Sequence, residues 1–77
     1  MTPLQRLGTV VRAERTKRGL SQEALAELSG LSRTHIGEIE RGEVSVSFVA
    51  LEAIAYGLGV ALSELSKNYE EQENETN

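Results

Sequence analysis

The most constraining feature of the sequence is the spacing of small and branched residues in the segment 22–41, QEALAELSGLSRTHIGEIER. Ala26 provides a small side chain on the inner face of a first helix, where a second helix can approach closely. Gly30 follows four residues later and tolerates the positive φ of a tight turn. Ile36 and Ile39 are spaced to bury one face of the second helix. The segment therefore predicts two short helices that cross at a steep angle around a tight turn.

Helix-start and helix-stop residues extend this prediction to five helices without strands. Ser21, Ser32 and Ser47 suit N-cap positions, and Pro3 suits the first turn of a helix. Glycines stand where the first four helices should end, at positions 19, 30, 42 and 59. The expected helices cover about residues 3–17, 22–28, 33–41, 48–58 and 61–66. The sequence thus predicts an all-α fold around one core, and the separations around the second glycine are those of a helix-turn-helix in DNA-binding proteins.

Charge is distributed unevenly along the chain. The net charge is −4, yet residues 1–42 hold seven Lys and Arg against five Glu, and residues 43–77 hold one Lys against seven Glu. A basic N-terminal part followed by an acidic C-terminal part is compatible with binding a polyanion on one face of the protein. The last ten residues carry four Glu and no base. We expect residues 1–67 to form a DNA-binding and dimerisation domain and residues 68–77 to form a disordered acidic tail.

Composition argues against several classes of function. There are no cysteines, which excludes disulfides and thiolate metal sites, and the single histidine, His35, has no partner ligands for a metal. Asp is absent, and no Ser/His/acid or paired-carboxylate pattern suggests catalysis. No apolar run approaches the roughly 20 residues of a membrane span, and no signal peptide opens the chain. We expect a cytoplasmic, nucleoid-associated protein that is not an enzyme and has no cofactor, membrane contact or small-molecule ligand.

The outward face of the third helix carries the candidate base-reading residues. At about 100° per residue, Arg33, Thr34 and Glu38 share an arc opposite the two isoleucines. Arg can bind guanine O6 and N7 bidentately, Thr can contact a base or a thymine methyl, and a carboxylate can accept from cytosine N4. Glu38 could equally orient Arg41, three residues later. Gly37 lies in the middle of this face, which suggests close approach of the backbone to DNA.

The stretch 19–65, GLSQEALAELSGLSRTHIGEIERGEVSVSFVALEAIAYGLGVALSEL, resembles the lambda-repressor-like (Cro/C1, or XRE) helix-turn-helix family. Within it, LSRTHIGEIERG and the short chain length are most similar to the controller proteins of bacterial restriction–modification systems. The resemblance implies a dimeric, sequence-specific transcriptional regulator that binds a near-palindromic double-stranded DNA operator. It further implies activation when the protein is bound beside a promoter and repression when an overlapping site also fills. RNA polymerase is therefore a further candidate partner.

The resemblance also implies roles for individual residues. It places Arg33, Thr34 and Glu38 at base-reading positions. It identifies Arg15 and Glu40 as a structural ion pair between the first and third helices. The positions that it implies for phosphate binding are those of Gln22, Ser32, His35, Arg41, Ser45 and Ser47. The histidine stands where controller proteins more often carry a tyrosine, so a phosphate or neighbouring-base contact and a solvated position both stay open for it.

The C-terminal end of the expected fold offers a candidate dimer interface. Val60, Leu62 and Leu65 place three aliphatic residues in a short helix, and Tyr69 lies just beyond them. A symmetric dimer needs one self-complementary apolar patch. The family resemblance implies an interface at the same place.

Two other interpretations remain open at this point. The chain could be a plain phage or plasmid repressor of the same fold. It could also be a protein-interaction module, for example an antitoxin-like partner whose hydrophobic C-terminal helix docks on a second protein. Salt-sensitive binding to heparin or random DNA would distinguish the DNA-binding interpretations from the interaction module.

Overall fold

The structure, a computed structural model, describes residues 1–75, and every regular element in that range is an α-helix. The helices are α1 (Pro3–Lys17), α2 (Gln22–Ser29), α3 (Arg33–Glu40), α4 (Phe48–Leu58) and α5 (Leu62–Glu75). The predicted all-α architecture with five helices is therefore confirmed.

Side-chain caps set the start of the first four helices by satisfying N–H groups that have no partner within the helix. The hydroxyls of Ser21, Ser32 and Ser47 each accept a hydrogen bond from the backbone N–H three residues later, at 3.0, 3.1 and 3.0 Å. All three caps were predicted. A fourth was not: Thr2 accepts from the N–H of Gln5, whose side chain accepts from the N–H of Thr2, and together they form a capping box.

The turn between α2 and α3 has the conformation that the sequence predicts. Gly30 has φ +77°, in the left-handed region that disfavours residues with a Cβ. Its N–H donates to the carbonyl oxygen of Ala26 at 2.9 Å, which closes the end of α2. Ile36 and Ile39 are both buried, beside Leu25 of α2. The helix-turn-helix is thus held by a short glycine turn and by one apolar contact surface.

A single hydrophobic core joins the helices. α1 packs against α3 and α5, and α2 packs against α3 and α4. α1 approaches α3 tightly at Gly8, where a Cβ would lie 2.5 Å from the carbonyl oxygen of Ile39 and closer still to that of Glu40. This contact explains a glycine in mid-helix, where it is otherwise unfavourable. The buried core residues are Val10, Val11, Leu25, Ala26, Ile36, Ile39, Ile54, Ala55, Leu58 and Leu65.

Helix α5 is longer than the sequence analysis predicted. It spans Leu62–Glu75, whereas a helix over 61–66 followed by a disordered tail from residue 68 was expected. That expectation is wrong for residues 68–75, and residues 76 and 77 lie outside the described residues. The Glu-rich composition suggested a tail because it contains little apolar surface to bury.

Contacts of Asn68 and Tyr69 hold this part of α5 against α1. The side-chain amide of Asn68 donates to a carboxylate oxygen of Glu14 at 2.8 Å, and Glu14, which is buried, also forms an ion pair with Arg18. The guanidinium of Arg6 lies 4.4 Å from the ring centroid of Tyr69, within the range of a cation–π interaction. The polar residues of α5 are therefore anchored by polar partners.

No single helix in the described part of the chain is long and apolar enough to cross a membrane. α4 and the Leu62–Gln72 part of α5 reach that length and apolar content only when they are counted together, and the chain bends by 101° between them. Among the described residues, no three His, Asp or Glu side chains are grouped so that they could hold a metal ion.

Candidate nucleic-acid interface

Helix α3 separates an apolar inner face from a polar outer face. Ile36 and Ile39 lie in the core, while Arg33 and Thr34 in the first turn are exposed. Glu38, one turn further on, is half-buried. The structure therefore brings the three predicted base-reading residues together on one accessible surface, which is the geometry that a recognition helix presents to a major groove.

Carboxylates lie beside the basic residues of this surface. The guanidinium of Arg33 lies 3.8 Å from Glu23 of α2, measured from Nε to Oε1. Nδ1 of His35 lies 3.7 Å from Oε1 of Glu38. At these distances in solvent the pairs are weak and open easily, so both basic side chains stay available to a ligand.

Arg41 at the C-terminal end of α3 is held more firmly. Its Nε donates to Oε2 of Glu43 at 2.9 Å, and its Nη2 donates to Oε1 at 3.2 Å. These hydrogen bonds raise the pKa of Arg41 and lower the pKa of Glu43 from their ordinary values. The helical spacing of three residues left Glu38 open as the residue that orients Arg41, whereas Arg41 donates its hydrogen bonds to Glu43. The arginine–glutamate spacing of two residues was the only signal for this pair in the sequence.

The predicted phosphate-binding residues differ in how accessible they are. Ser45 is exposed, and Ser32 and Ser47 are exposed caps of α3 and α4. A hydroxyl that accepts a backbone N–H can still donate its own proton to a phosphate oxygen. Gln22 is half-buried instead, and its Nε2 donates to Oε1 of Glu40 at 3.0 Å. The structure thus places Gln22 in an internal network as well as at the start of α2.

That internal network includes the Arg15–Glu40 ion pair. Nε of Arg15 donates to Oε2 of Glu40 at 2.6 Å, Nη2 donates to Oε1 at 3.0 Å, and Nη1 donates to the carbonyl oxygen of Leu20 at 2.8 Å. The hydrogen bonds to Glu40 raise the pKa of Arg15 above its ordinary value. With Gln22 included, the network joins α1, α2 and α3, so it fixes α3 relative to its two neighbours.

Of the four residues predicted for the dimer interface at the C-terminal end, Leu65 does not have the exposure that this prediction requires. Leu65 is only 1% exposed and belongs to the core. Val60, Leu62 and Tyr69 are partly buried against that core. The error arose because a short helix was expected to be unable to bury three aliphatic residues, whereas α5 lies against both α1 and α4.

An exposed apolar surface does occur on α4. Val49 is 72% exposed and Tyr56 is 82% exposed, and a separation of seven residues places them on the same face of the helix. Phe48 and Leu28 of α2 are also exposed large apolar residues. We call Val49 and Tyr56, which share one face of the helix, the α4 surface. This surface could have been predicted from the sequence, because the helical period places Val49 and Tyr56 on the side of α4 opposite its buried residues.

Comparison with known proteins places the chain among helix-turn-helix proteins. Residues 11–65 match the helix-turn-helix family model HTH_3. The chain is 46% identical over 56 residues to the control protein C.MunI of Mycoplasma sp., a match that covers 73% of this chain and 76% of that protein.

Two solved structures are similar over most of the chain. The restriction–modification controller protein C.AhdI of Aeromonas hydrophila superimposes with a TM-score of 0.79 at 45% identity, over 80% of this chain and 94% of that one. The wild-type restriction–modification controller protein C.Esp1396I superimposes with a TM-score of 0.91 at 29% identity, over 97% of both chains. The resemblance inferred from the sequence is therefore confirmed.

Proposed function

Because the chain belongs to the helix-turn-helix family, matched over residues 11–65, we propose that it is a sequence-specific transcriptional regulator of the controller-protein type. The observation that carries this proposal is the exposure of Arg33 and Thr34 on a helix whose opposite face is buried. The family and the relatives described above are DNA-binding regulators rather than enzymes. Their likeness to this chain favours control of restriction–modification genes.

In this proposal α3 enters the major groove of double-stranded DNA, with its N-terminal turn foremost. Arg33, Thr34 and Glu38 contact base edges. Phosphates on either side are bound by the hydroxyls of Ser32 and Ser47 and by the free N–H groups at the start of α2 and α4, where the helix dipole favours an anion. These contacts set the register of α3 on the duplex, and the base contacts select the sequence.

A near-palindromic operator requires two copies of α3 about 34 Å apart. We propose that the α4 surface forms the two-fold interface, since a symmetric dimer needs one apolar patch that can pack on itself. Around a two-fold axis between two antiparallel α4 helices, Val49 of one protomer would face Tyr56 of its partner. We expect a small interface with a dissociation constant near micromolar, so that operator occupancy rises steeply with protein concentration.

Regulation then follows from occupancy of the operator. Binding beside a promoter activates transcription, with RNA polymerase as the second partner, and filling of an overlapping site represses it. The alternative of a protein-interaction module relied on an exposed apolar C-terminal helix. Leu65 of that helix lies in the core, which favours the DNA-binding interpretation over that alternative.

The DNA-binding part of this proposal is tested by selection from a library of random duplexes. We expect the wild-type protein to select one near-palindromic sequence. Arg33→Ala should lose about 1–3 kcal/mol of binding to that duplex and little on a scrambled duplex, because a base contact is lost. Arg12→Ala, which removes an exposed arginine of α1, is the matched control and should leave the ratio of the two affinities unchanged. Equal losses on both duplexes would assign Arg33 to phosphate.

The dimer is tested by sedimentation above and below micromolar protein. Tyr56→Glu should give a folded monomer with weak operator binding, whereas Tyr56→Phe should remain a dimer. Leu65→Glu should unfold the chain, because it places an unpaired charge in the core. If Tyr56→Glu stays dimeric at the same concentrations as the wild type, the interface lies elsewhere.

A further inference from the structure

Arg41 does not extend away from the end of α3 but lies back across the recognition helix. A Cβ at Gly37, one turn earlier, would lie 3.0 Å from Nη1 of Arg41 and 3.8 Å from its Cζ. The guanidinium therefore occupies the space that a side chain at position 37 would fill. It lies in the middle of the same face as Arg33 and Thr34, because helical side chains point towards the N-terminus of their helix. Gly37 thus makes room for an arginine, not for the DNA backbone.

The carboxylate of Glu43 fixes one edge of this guanidinium. It accepts from Nε and Nη2 at 2.9 and 3.2 Å, which uses two of the five N–H groups of the arginine. The other edge carries both N–H groups of Nη1 and the second N–H of Nη2. That edge has the spacing that binds O6 and N7 of guanine in the major groove.

We infer that Arg41 is a base-reading residue specific for guanine, and that Glu43 is the positioning residue that aims it. This inference rests on the proposed function, since it assumes that α3 enters a major groove. It replaces the phosphate-binding role that the family resemblance implied for Arg41. Gly37 also contributes, because its missing side chain leaves the space that the guanidinium of Arg41 occupies.

The position of Glu43 is difficult to reconcile with a phosphate contact by Arg41. A carboxylate beside a phosphate-binding arginine competes for the same N–H groups and is itself repelled by the DNA. Beside a base-reading arginine the carboxylate favours binding, because it orders the long arginine side chain beforehand and so reduces the conformational entropy that is lost when DNA binds. Both side chains are more than half exposed, at 57% and 53%, so a duplex can reach the pair.

The two roles predict different effects of Glu43→Gln on the ratio of affinity for the selected duplex to affinity for a scrambled one. On charge alone, removing a carboxylate near DNA strengthens binding to both duplexes and leaves this ratio unchanged. If Glu43 aims Arg41 at a guanine, the same change lowers the ratio. We expect a fall of up to about 5-fold, because Arg41 can still form its contact and loses only its orientation. Glu27→Gln removes an exposed carboxylate of α2 as the matched charge control and should not lower the ratio.

The base that Arg41 contacts is identified by repeating the library selection with Arg41→Lys. This variant keeps the charge but replaces the planar pair of N–H donors, which Glu43 can aim, by a single ammonium group on a flexible stem. We expect its preference for one guanine per half-site to weaken while the preferences at the remaining positions are kept. Replacing that guanine by 7-deazaguanine, which lacks the N7 acceptor, should then weaken binding of the wild type more than binding of Arg41→Lys.

Three outcomes would overturn the inference. Glu43→Gln could strengthen binding to both duplexes equally, which would make Glu43 a competitor of phosphate. Arg41→Lys could select the same sequence with the same preferences, which would make Arg41 a phosphate contact. If the wild type selects no common sequence at all, the proposed function fails together with the inference, whereas either of the first two outcomes leaves that function intact. Circular dichroism of both variants checks that these exposed substitutions leave the fold unchanged.

Discussion

Substituting Glu40 by alanine should be one of the most destabilising changes that can be made to this chain. The Glu40 side chain is only 3% exposed and that of Arg15 is 11% exposed. The carboxylate accepts two hydrogen bonds from Arg15 and one from Gln22. Glu40→Ala leaves the guanidinium of Arg15 largely buried and without its counter-ion. Breaking a buried ion pair in this way costs about 3–5 kcal/mol.

We expect a loss of about 3 kcal/mol, at the lower end of that range, because the guanidinium of Arg15 lies closer to solvent than the carboxylate does. A chain of 77 residues should have a total unfolding free energy of about 4–12 kcal/mol. One substitution would therefore remove a quarter or more of the stability. The melting temperature should fall by about 12–24 °C, at about 4–8 °C per kcal/mol for a domain of this size.

The assay is urea unfolding at pH 7, followed by circular dichroism at one protein concentration so that any dimer contributes equally. The matched control replaces both members of the pair, Arg15→Met with Glu40→Leu. Since no charge is then left unpaired, this double variant should recover more than half of the loss. The reasoning is refuted if Glu40→Ala costs less than about 1 kcal/mol, the value of a solvent-exposed pair. It is also refuted if the double variant is as unstable as the two single variants added together.

Three further predictions concern the helix contacts. Gly8→Ala should lower the melting temperature, because its Cβ would meet backbone oxygens of α3. Gly37→Ala should raise the melting temperature, because its Cβ meets only a flexible side chain and alanine favours the helix. A shift of the melting temperature in the same direction for both variants would contradict this packing. Deleting residues 68–77 should lower the free energy of unfolding in urea by about 1.5–3 kcal/mol, since a hydrogen bond from Asn68 to a buried carboxylate is lost. An unchanged free energy of unfolding would show that Asn68 does not anchor α5 to α1. In an NMR titration the pKa of Glu43 should lie below the ordinary glutamate value and rise in Arg41→Ala. Because the pKa of Glu43 is lower in the folded protein, the Arg41–Glu43 pair stabilises the fold above the ordinary glutamate pKa, and this stabilisation is lost as the pH falls through the folded pKa. An unchanged titration midpoint of Glu43 in Arg41→Ala would show that the pair does not form.

The local features of the fold can be predicted from the order of the residues. Ser21, Ser32 and Ser47 cap helices, and Gly30 forms the turn, because each of these roles depends on atoms within about one helical turn. The exposed side of α3 was predictable for the same reason, since the helical period alone separates Arg33 from the buried isoleucines. Local rules of this kind are sufficient to identify a helix-turn-helix.

Which residues of the C-terminal part are buried and which are exposed depends on how the helices pack against one another. Leu65 looked like an interface residue but lies in the core, and Asn68 is bonded to Glu14, a residue distant in the sequence. The position of Arg41 over Gly37, held by Glu43, likewise depends on how the chain turns after α3. Burial and side-chain direction at these places arise from the packing of one helix on another. A helical repeat defines which residues share a face, but not which neighbour covers that face.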